Sequence, residues 1–360
     1  MSEVKTRIIH LEGGQQRQEA QNTGTLAVVY DQPLEPESFR NLFIRNYKTI
    51  RRKCTRFSQP GLAIFAVDAY TGEFVGSLCV AAKVDRANSA IIGRHGMTDL
   101  YLDGDSSLSL RHLAIVLWPL SNGCEVRFRI VDLRTRVAFQ DEHSRRFESM
   151  VAEGPIFVRC GSYVLFFLIT GDRIAWPDAA KDGWACIPER VYLEAGEAEP
   201  DRWQRKRSIR ESRHSDSHSS SYDVEEARSA ITLVHSAPGP VRARTRLVTA
   251  GEEPLGTLRI TAESGMQKLI IGPRAAHGGI LLGRYSRCDV DGSKILINES
   301  ISRVHVLIME IDEHLYAIDT ASTHGTWIRT ESREVRLIRL SARQELTMGE
   351  GLAHLLWYPR

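Results

Sequence analysis

The sequence predicts an all-β protein of two sandwiches joined by a flexible linker. Three observations predict it. Short runs rich in β-branched and aromatic residues, bounded by Gly, Asn and Asp, fill two blocks, from "GLAIFAVDA" to "SYVLFFLIT" and from "LGTLRITA" to "AHLLWY"; this is the pattern of a sandwich or barrel. A polar stretch, "RKRSIRESRHSDSHSSSY", separates the blocks. The second block also repeats landmarks of the first at matching spacing.

In order along the chain, residues 1–58 form an extension with a basic helix expected around Pro36 to Lys53, carrying Arg45, Lys48, Arg51, Arg52, Lys53 and Arg56. That basic face reads as solvated, with an acidic or nucleic-acid partner as the alternative. Residues 59–175 hold the first strand block, and residues 250–360 the second. Between them, 176–249 reads as a mostly disordered linker, because its Ser/Arg-rich part cannot bury enough apolar surface to offset the entropy of ordering. His214 and His218 lie in that tract, too little for a metal site.

Bulk properties narrow the function classes. The chain has 360 residues, 42% apolar and 26% charged, with a formal charge of +2, so nothing in its net charge points to nucleic acid. No apolar run reaches the roughly 20 residues that span a bilayer, and the N-terminal stretch has no secretory core. The six cysteines form no C-x-x-C pair and sit mostly in apolar runs, as free thiols in a reducing cytoplasm do. No metal or cofactor is expected.

The repeat is specific. Gly93-Arg94 is followed by Asp99, and Gly283-Arg284 by Asp289, each six residues from the glycine. "SLSLRHLAIVL" matches "SISRVHVLIM", pairing Ser109 with Ser302 and His112 with His305. Asp132 and Asp319 each stand three residues before a hydroxyl residue, Thr135 and Ser322, and "CGSYVLFF" matches "MGEGLAHLLW". The first copy is the more divergent.

In the second copy, three polar clusters fall at strand ends: Gly283-Arg284, Ser302-Arg303-Val304-His305 and Ser322-Thr323-His324-Gly325-Thr326. Brought to one rim, they offer an arginine fork, hydroxyls and turn N–H groups, a set suited to a phosphate dianion. The set lacks a carboxylate pair, a metal cluster and a base placed to activate a serine, so no enzyme is expected. His305, followed by a strand, reads as a loop brace.

These residues resemble the forkhead-associated (FHA) domain, whose pattern runs Gly-Arg, Ser-Arg-x-His and Ser-x-Asn-Gly-Thr. The resemblance covers roughly 255–360. It implies an eleven-stranded, non-catalytic sandwich that binds phosphothreonine peptides through rim loops. By position, Arg284 and Ser302 would hold the phosphate, Arg303 would contact phosphate or peptide backbone, and Thr323 would donate nearby. Gly283, His305 and Gly325 would be architectural. His324 replaces the family asparagine that registers the peptide, which implies an altered peptide preference and a pH-dependent site. The first copy resembles the family less well. Arg94, Ser109 and His112 are in place and could hold an anion weakly, but Leu110 replaces the arginine and the Asn-Gly-Thr is missing.

The function that follows is a phosphothreonine-binding adaptor for a protein phosphorylated by a Ser/Thr kinase. The alternative is a phospho-independent scaffold that uses both sandwiches for assembly. Self-association through a phosphorylated linker or N-terminus, at Thr23, Thr25, Thr232, Thr245 or Thr249, is a further expectation.

Overall fold

The computed structural model describes residues 7–8, 27–28, 35–120, 126–171, 176–194, 231–288, 295–342 and 344–360. Thr23, Thr25, Cys124, His214, His218, Asp289 and the "RKRSIRE" segment lie outside them.

Helix α1 (Phe39–Arg56) begins where Ser38 caps it, its side chain accepting from the Asn41 N–H at 3.3 Å. Leu42, Phe43, Tyr47, Ile50 and Cys54 share its buried face. They pack on Ala63, Phe65 and Val67 from one strand and Val164, Phe166 and Leu168 from its neighbour. The basic residues face outward, where Arg45 pairs with Glu37, Arg51 pairs with Asp178, and Lys53 lies over the Phe74 ring.

The alternate residues of those strands, Leu62, Ile64 and Ala66 with Leu165 and Phe167, enter the core of the first sandwich. One of its sheets has six strands in the order Arg146–Phe147, Phe139–Gln140, Ile156–Cys160, Tyr163–Thr170, Gly61–Asp68, Phe74–Ala81. The other has seven: Glu189–Leu193, Ile231–Ser236, Ser149–Ala152, Phe128–Asp132, Leu113–Leu117, Asn88–Gly93, Leu100–Tyr101.

The second sandwich repeats this topology. Its smaller sheet runs Val241–Arg242, Ile280–Leu282, Val306–Ile311, His314–Asp319, Leu337–Arg339, and its larger one carries Thr326–Ile328, Glu345–Met348, Ala353–Pro359, Gly256–Ala262 and Gly265–Ile271 in the order of their first-copy equivalents. Gly161 and Gly349 turn the matching hairpins with φ of 60° and 59°.

The expected linker differs from the structure at both ends. Glu189–Leu193 and Ile231–Ser236 pair in parallel, and Ile231–Ser236 also pairs antiparallel with Ser149–Ala152. Both are strands of the first sandwich, although they flank the polar tract. "RVYL" and "ITLV" are each too short beside polar neighbours to stand out, and they become strands by extending a sheet already formed. Helix α2 (Ala180–Ala185) likewise lies in the span read as linker, with Trp184 packed on the α1 layer.

The two sandwiches are docked through equivalent sheets. In Leu113–Leu117, Leu113, Ile115 and Leu117 face their own core while Ala114 and Val116 face the other sandwich. In Val306–Ile311, Val306 and Ile308 face inward and Leu307, Met309 and Ile311 face across. Ile91, Val131 and Leu133 on one side and Leu281, Val304 and Ile318 on the other complete this shared apolar layer. Each large side chain buried here stabilises the docked state by about 1.5–3 kcal/mol.

Polar ties frame the layer. Arg129, fully buried, donates to Ser149 Oγ at 2.7 Å and crosses to the carbonyls of His277 at 2.6 Å and Pro238 at 2.7 Å. Burial lowers its guanidinium to about 10, so it remains charged at neutral pH. Arg134 donates to the Pro240 carbonyl, Arg287 to the Arg134 carbonyl, and Arg336 pairs with Asp99. No helix among the described residues is long and apolar enough to cross a membrane.

Because Ile231–Ser236 belongs to the first sandwich, cutting the chain between 194 and 231 should not release two pieces. With a protease recognition sequence inserted there, the cleaved halves are expected to co-elute on gel filtration in native buffer and to separate only in denaturant. Separation in native buffer would contradict the docked arrangement.

Candidate functional site

The three polar clusters of the second sandwich meet at one rim because the strands bearing them are neighbours in one sheet. The Arg284 N–H donates to the Ser302 carbonyl at 3.2 Å, and the Tyr285 N–H donates to the Arg303 carbonyl at 3.0 Å. That clasp requires Gly283: a Cβ there would lie 2.5 Å from the Arg303 carbonyl oxygen and 2.9 Å from that of Ser302. The first copy has the same clasp, with Arg94 N–H on the Ser109 carbonyl and Gly93 against the Leu110 carbonyl.

His305 fixes the next two loops. Its Nδ1 accepts the Ser302 N–H at 3.0 Å, so its Nε2 carries the proton and donates to the Gly325 carbonyl at 3.1 Å. The ring is completely buried. Burial above all keeps it neutral, opposed by the Asp319 charge and the Gly325 bond. Gly325 itself has φ 69°, and a Cβ there would run into Glu334. His112 repeats the brace, accepting the Ser109 N–H at 3.0 Å and meeting the Val137 carbonyl at 2.9 Å.

Asp319 organises the third cluster, a role absent from the sequence-based assignment of site residues. Its carboxylate accepts from the Ser322 N–H at 2.7 Å, the Ser322 hydroxyl at 2.6 Å and the Thr326 hydroxyl at 2.7 Å. The sequence signal was its fixed spacing to a hydroxyl residue, which Asp132 and Thr135 share.

On this frame, Arg284, Arg303 and Thr323 have exposed side chains. Ser302 is mostly buried, and its Oγ accepts the Thr323 N–H at 3.0 Å and faces Thr323 Oγ1 at 3.4 Å. The rim thus gathers two exposed guanidinium groups and two hydroxyls. His324 is half-buried; its Nδ1 lies 2.9 Å from Glu350, and its carbonyl accepts from Trp327 Nε1 at 2.9 Å.

One further arginine reaches the rim from the other sandwich. Arg111, 5% exposed, crosses the docking layer, and its Nη2 lies 3.3 Å from Ser302 Oγ. It also donates to the Ala321 carbonyl from Nε at 3.0 Å and Nη2 at 2.6 Å. In the sequence Arg111 directly follows Leu110, which replaces the arginine of the motif, and nothing local shows where it points.

In the first copy, Arg94 is half-buried and its Nε donates to the Leu108 carbonyl at 3.2 Å. Ser109 keeps its braced N–H. Where the second copy has its Thr323–Gly325 turn, the first has Arg136-Val137-Ala138, lining a 240 Å³ surface hollow with Arg146 and Arg159. Among the described residues, no group of three or more His, Cys, Asp or Glu is placed to hold a metal, and the five described cysteines form no disulfide, Cys54 being pushed up to about 12 by burial.

The family model for the FHA domain matches residues 280–349. That match lies within the C-terminal sandwich, whose topology the N-terminal sandwich repeats. Among solved structures, the chain is similar to the FHA-1 domain of Mycobacterium tuberculosis Rv1747, 24% identical, covering 30% of this chain and 100% of that one with a TM-score of 0.24. It is similar to the FHA domain of Chlamydia trachomatis CT664, 18% identical, covering 29% and 98% with a TM-score of 0.23. It is also similar to the yeast Dun1 FHA domain, solved with a doubly phosphorylated (pT) peptide derived from Rad53 SCD1, 12% identical, covering 46% and 92% with a TM-score of 0.27. No curated protein matches the chain.

The braces have a pH signature. His305 and His112 have their pKa lowered on folding, His112 to about 4, so each contributes stability present above the ordinary value near 6.5 and lost as pH falls. Asp132, raised by burial to about 6, contributes in the opposite sense, its stability lost as pH rises through that value. In the first copy the two offset one another, and His305 adds its acid-side loss to those of His95 and His277, which burial also lowers. Imidazole ¹⁵N spectra should show His112 neutral at pH 5.5 and His305 neutral at pH 7, each with the proton on Nε2, and the melting temperature should fall from pH 6.5 to 5. An imidazolium signature for His305 at pH 7 would overturn the brace assignment.

Proposed function

We propose that the chain is a phosphothreonine-peptide-binding adaptor in kinase-linked, cytoplasmic signalling, with its working site on the C-terminal sandwich. FHA domains are non-catalytic interaction modules, and the reading takes the whole chain to be one. The observation that carries it is the rim itself: Arg284 and Arg303 exposed at the same rim as the Ser302 and Thr323 hydroxyls, on loops held by His305 and Asp319. Arginine forks and neutral donors on a rigid frame recognise a phosphate dianion through charge-assisted hydrogen bonds. His324, with Glu350 beside it, would meet the peptide backbone, so a bound peptide has an acidic neighbour to accommodate.

The N-terminal sandwich supports a structural role. Its equivalent sheet is covered by the C-terminal sandwich, and its Arg94 guanidinium donates to its own backbone. We assign it to docking, with domain limits of 59–175 plus the strands on either side of the polar tract; the second unit starts before the expected residue 250, at Val241, because Val241–Arg242 and Arg246–Leu247 pair into its sheets, and runs to 360. Of the threonines considered for self-association, Thr232 is 1% exposed inside a strand and is unsuited to modification, whereas Thr245 and Thr249 are exposed.

An oriented phosphothreonine peptide library presented to the full chain provides the test. Arg284→Ala should weaken the best peptide by about 2–3 kcal/mol, or roughly 30- to 150-fold, the scale of charged hydrogen bonds. Binding equal to wild type, or equal binding of the unphosphorylated peptide, would refute the reading.

A further inference from the structure

Among the described residues, Arg111 is the one first-copy side chain that hydrogen-bonds a proposed phosphate ligand of the second copy, and its surroundings are unusual for a buried cation. Its three hydrogen bonds go to neutral oxygens, the Ala321 carbonyl and Ser302 Oγ. Among the described residues its Nη1 makes no hydrogen bond, and the residue is 5% exposed. Burial lowers its pKa from the usual arginine value, Asp319 opposes this and Arg303 adds to it, but arginine stays charged at neutral pH.

The bonding at Ser302 defines what the hydroxyl can do. Its oxygen accepts from Arg111 Nη2 and from the Thr323 N–H, which occupies both lone pairs. The hydroxyl proton is then the only capacity left. Without ligand it faces Thr323 Oγ1 at a long 3.4 Å, a bond readily exchanged for a phosphate oxygen.

We propose that Arg111 is part of the phosphothreonine site of the C-terminal sandwich, orienting the Ser302 hydroxyl as a donor and adding a third cation at the base of the pocket, so that the site is a composite of both sandwiches. This rests on the phosphothreonine reading above. The docking layer makes it specific to this chain: the position equivalent to Arg111 in the second copy is Val304, an apolar member of that layer. An arginine there has one sheltered direction, into the facing rim. Ala321, whose carbonyl receives it, holds a left-handed backbone with φ 61°, as does its first-copy equivalent Arg134 with φ 56°, whose carbonyl in turn receives Arg287.

The test uses the full chain and the tightest phosphothreonine peptide selected by wild type from the library. Arg111→Met is expected to weaken that peptide about tenfold, in line with loss of one charge-assisted contact. Arg111→Lys, which keeps the cation without the fork, should recover part of the loss. In a Ser302→Ala background the effect of Arg111→Met should shrink, because the two act through one another. A purely structural role would lower the melting temperature without rescue by lysine and without that coupling. Should Arg111→Met fail to fold, Arg111→Gln carries the same expectation. Unchanged or tighter binding by the uncharged variant, while Arg284→Ala loses the peptide, overturns the composite site and leaves the phosphothreonine reading standing. Failure of wild type to select any phosphothreonine peptide overturns both.

Discussion

The structure depends on two central strands that are apolar on both faces. Leu113–Leu117 and Val306–Ile311 have no polar face to offer water apart from half-buried Glu310, so each sandwich exposes a sheet that has to be covered. Covering each with the other settles the course of the chain. It fixes where the polar tract must leave and return, since the strand after it completes the first sandwich before the chain enters the second. It also fixes which rims lie near one another. A surface of that size left open would be an aggregation liability. The other exposed sheet of the first sandwich has the same problem and a different solution, with α1 laid across Phe65 and Phe166.

Above this layer, the loops are held by polar geometry that does not depend on docking. A glycine permits two backbones to approach, a buried neutral histidine joins two loops, and an aspartate closes a third. Both copies contain all three devices at equivalent positions, so the loop frame is separable from the ligand-contacting groups it carries. In the second copy the frame presents Arg284, Arg303 and Thr323. In the first it presents Arg94, turned to its own backbone, and a loop without the glycine-threonine turn. The first copy thus kept its fold while its rim diverged, as expected when burial and bracing, rather than ligand contacts, supply most of the stability.

Much of this was legible in the sequence. Strand blocks, the repeat and the rim residues could be read because each depends on local spacing: Ser302 and His305 are braced together at the distance their three-residue separation allows. The docking of the sandwiches was not read, although a trace of it was present. Runs such as "LAIVL" and "VLIM" lack the alternation of a sheet with one wet face. That signal says a second face is covered without saying by what, because the partner lies almost 200 residues away. The strands flanking the polar tract were missed for a related reason. Runs as short as Val191–Leu193 and Ile231–Val234 acquire a strand conformation only from a sheet edge formed elsewhere. The destination of Arg111 was illegible on the same grounds, since it follows from the docking and not from its own neighbours.

The asymmetry between Arg111 and Val304 bears on how the two sandwiches are coupled. A guanidinium set against neutral oxygens recovers only part of its lost hydration, so it weakens the layer relative to an apolar residue of similar size. An anion at the rim would supply the missing counter-charge. With Arg111 contributing to binding only when the sandwiches are docked, linkage requires that the anion favour docking by the same factor by which docking favours the anion. Docking and ligand binding would then be two readings of one free energy, and the N-terminal sandwich would act on the site without holding a ligand of its own. The apolar layer sets the position of the cation, and the cation in turn makes the strength of that layer responsive to what occupies the rim.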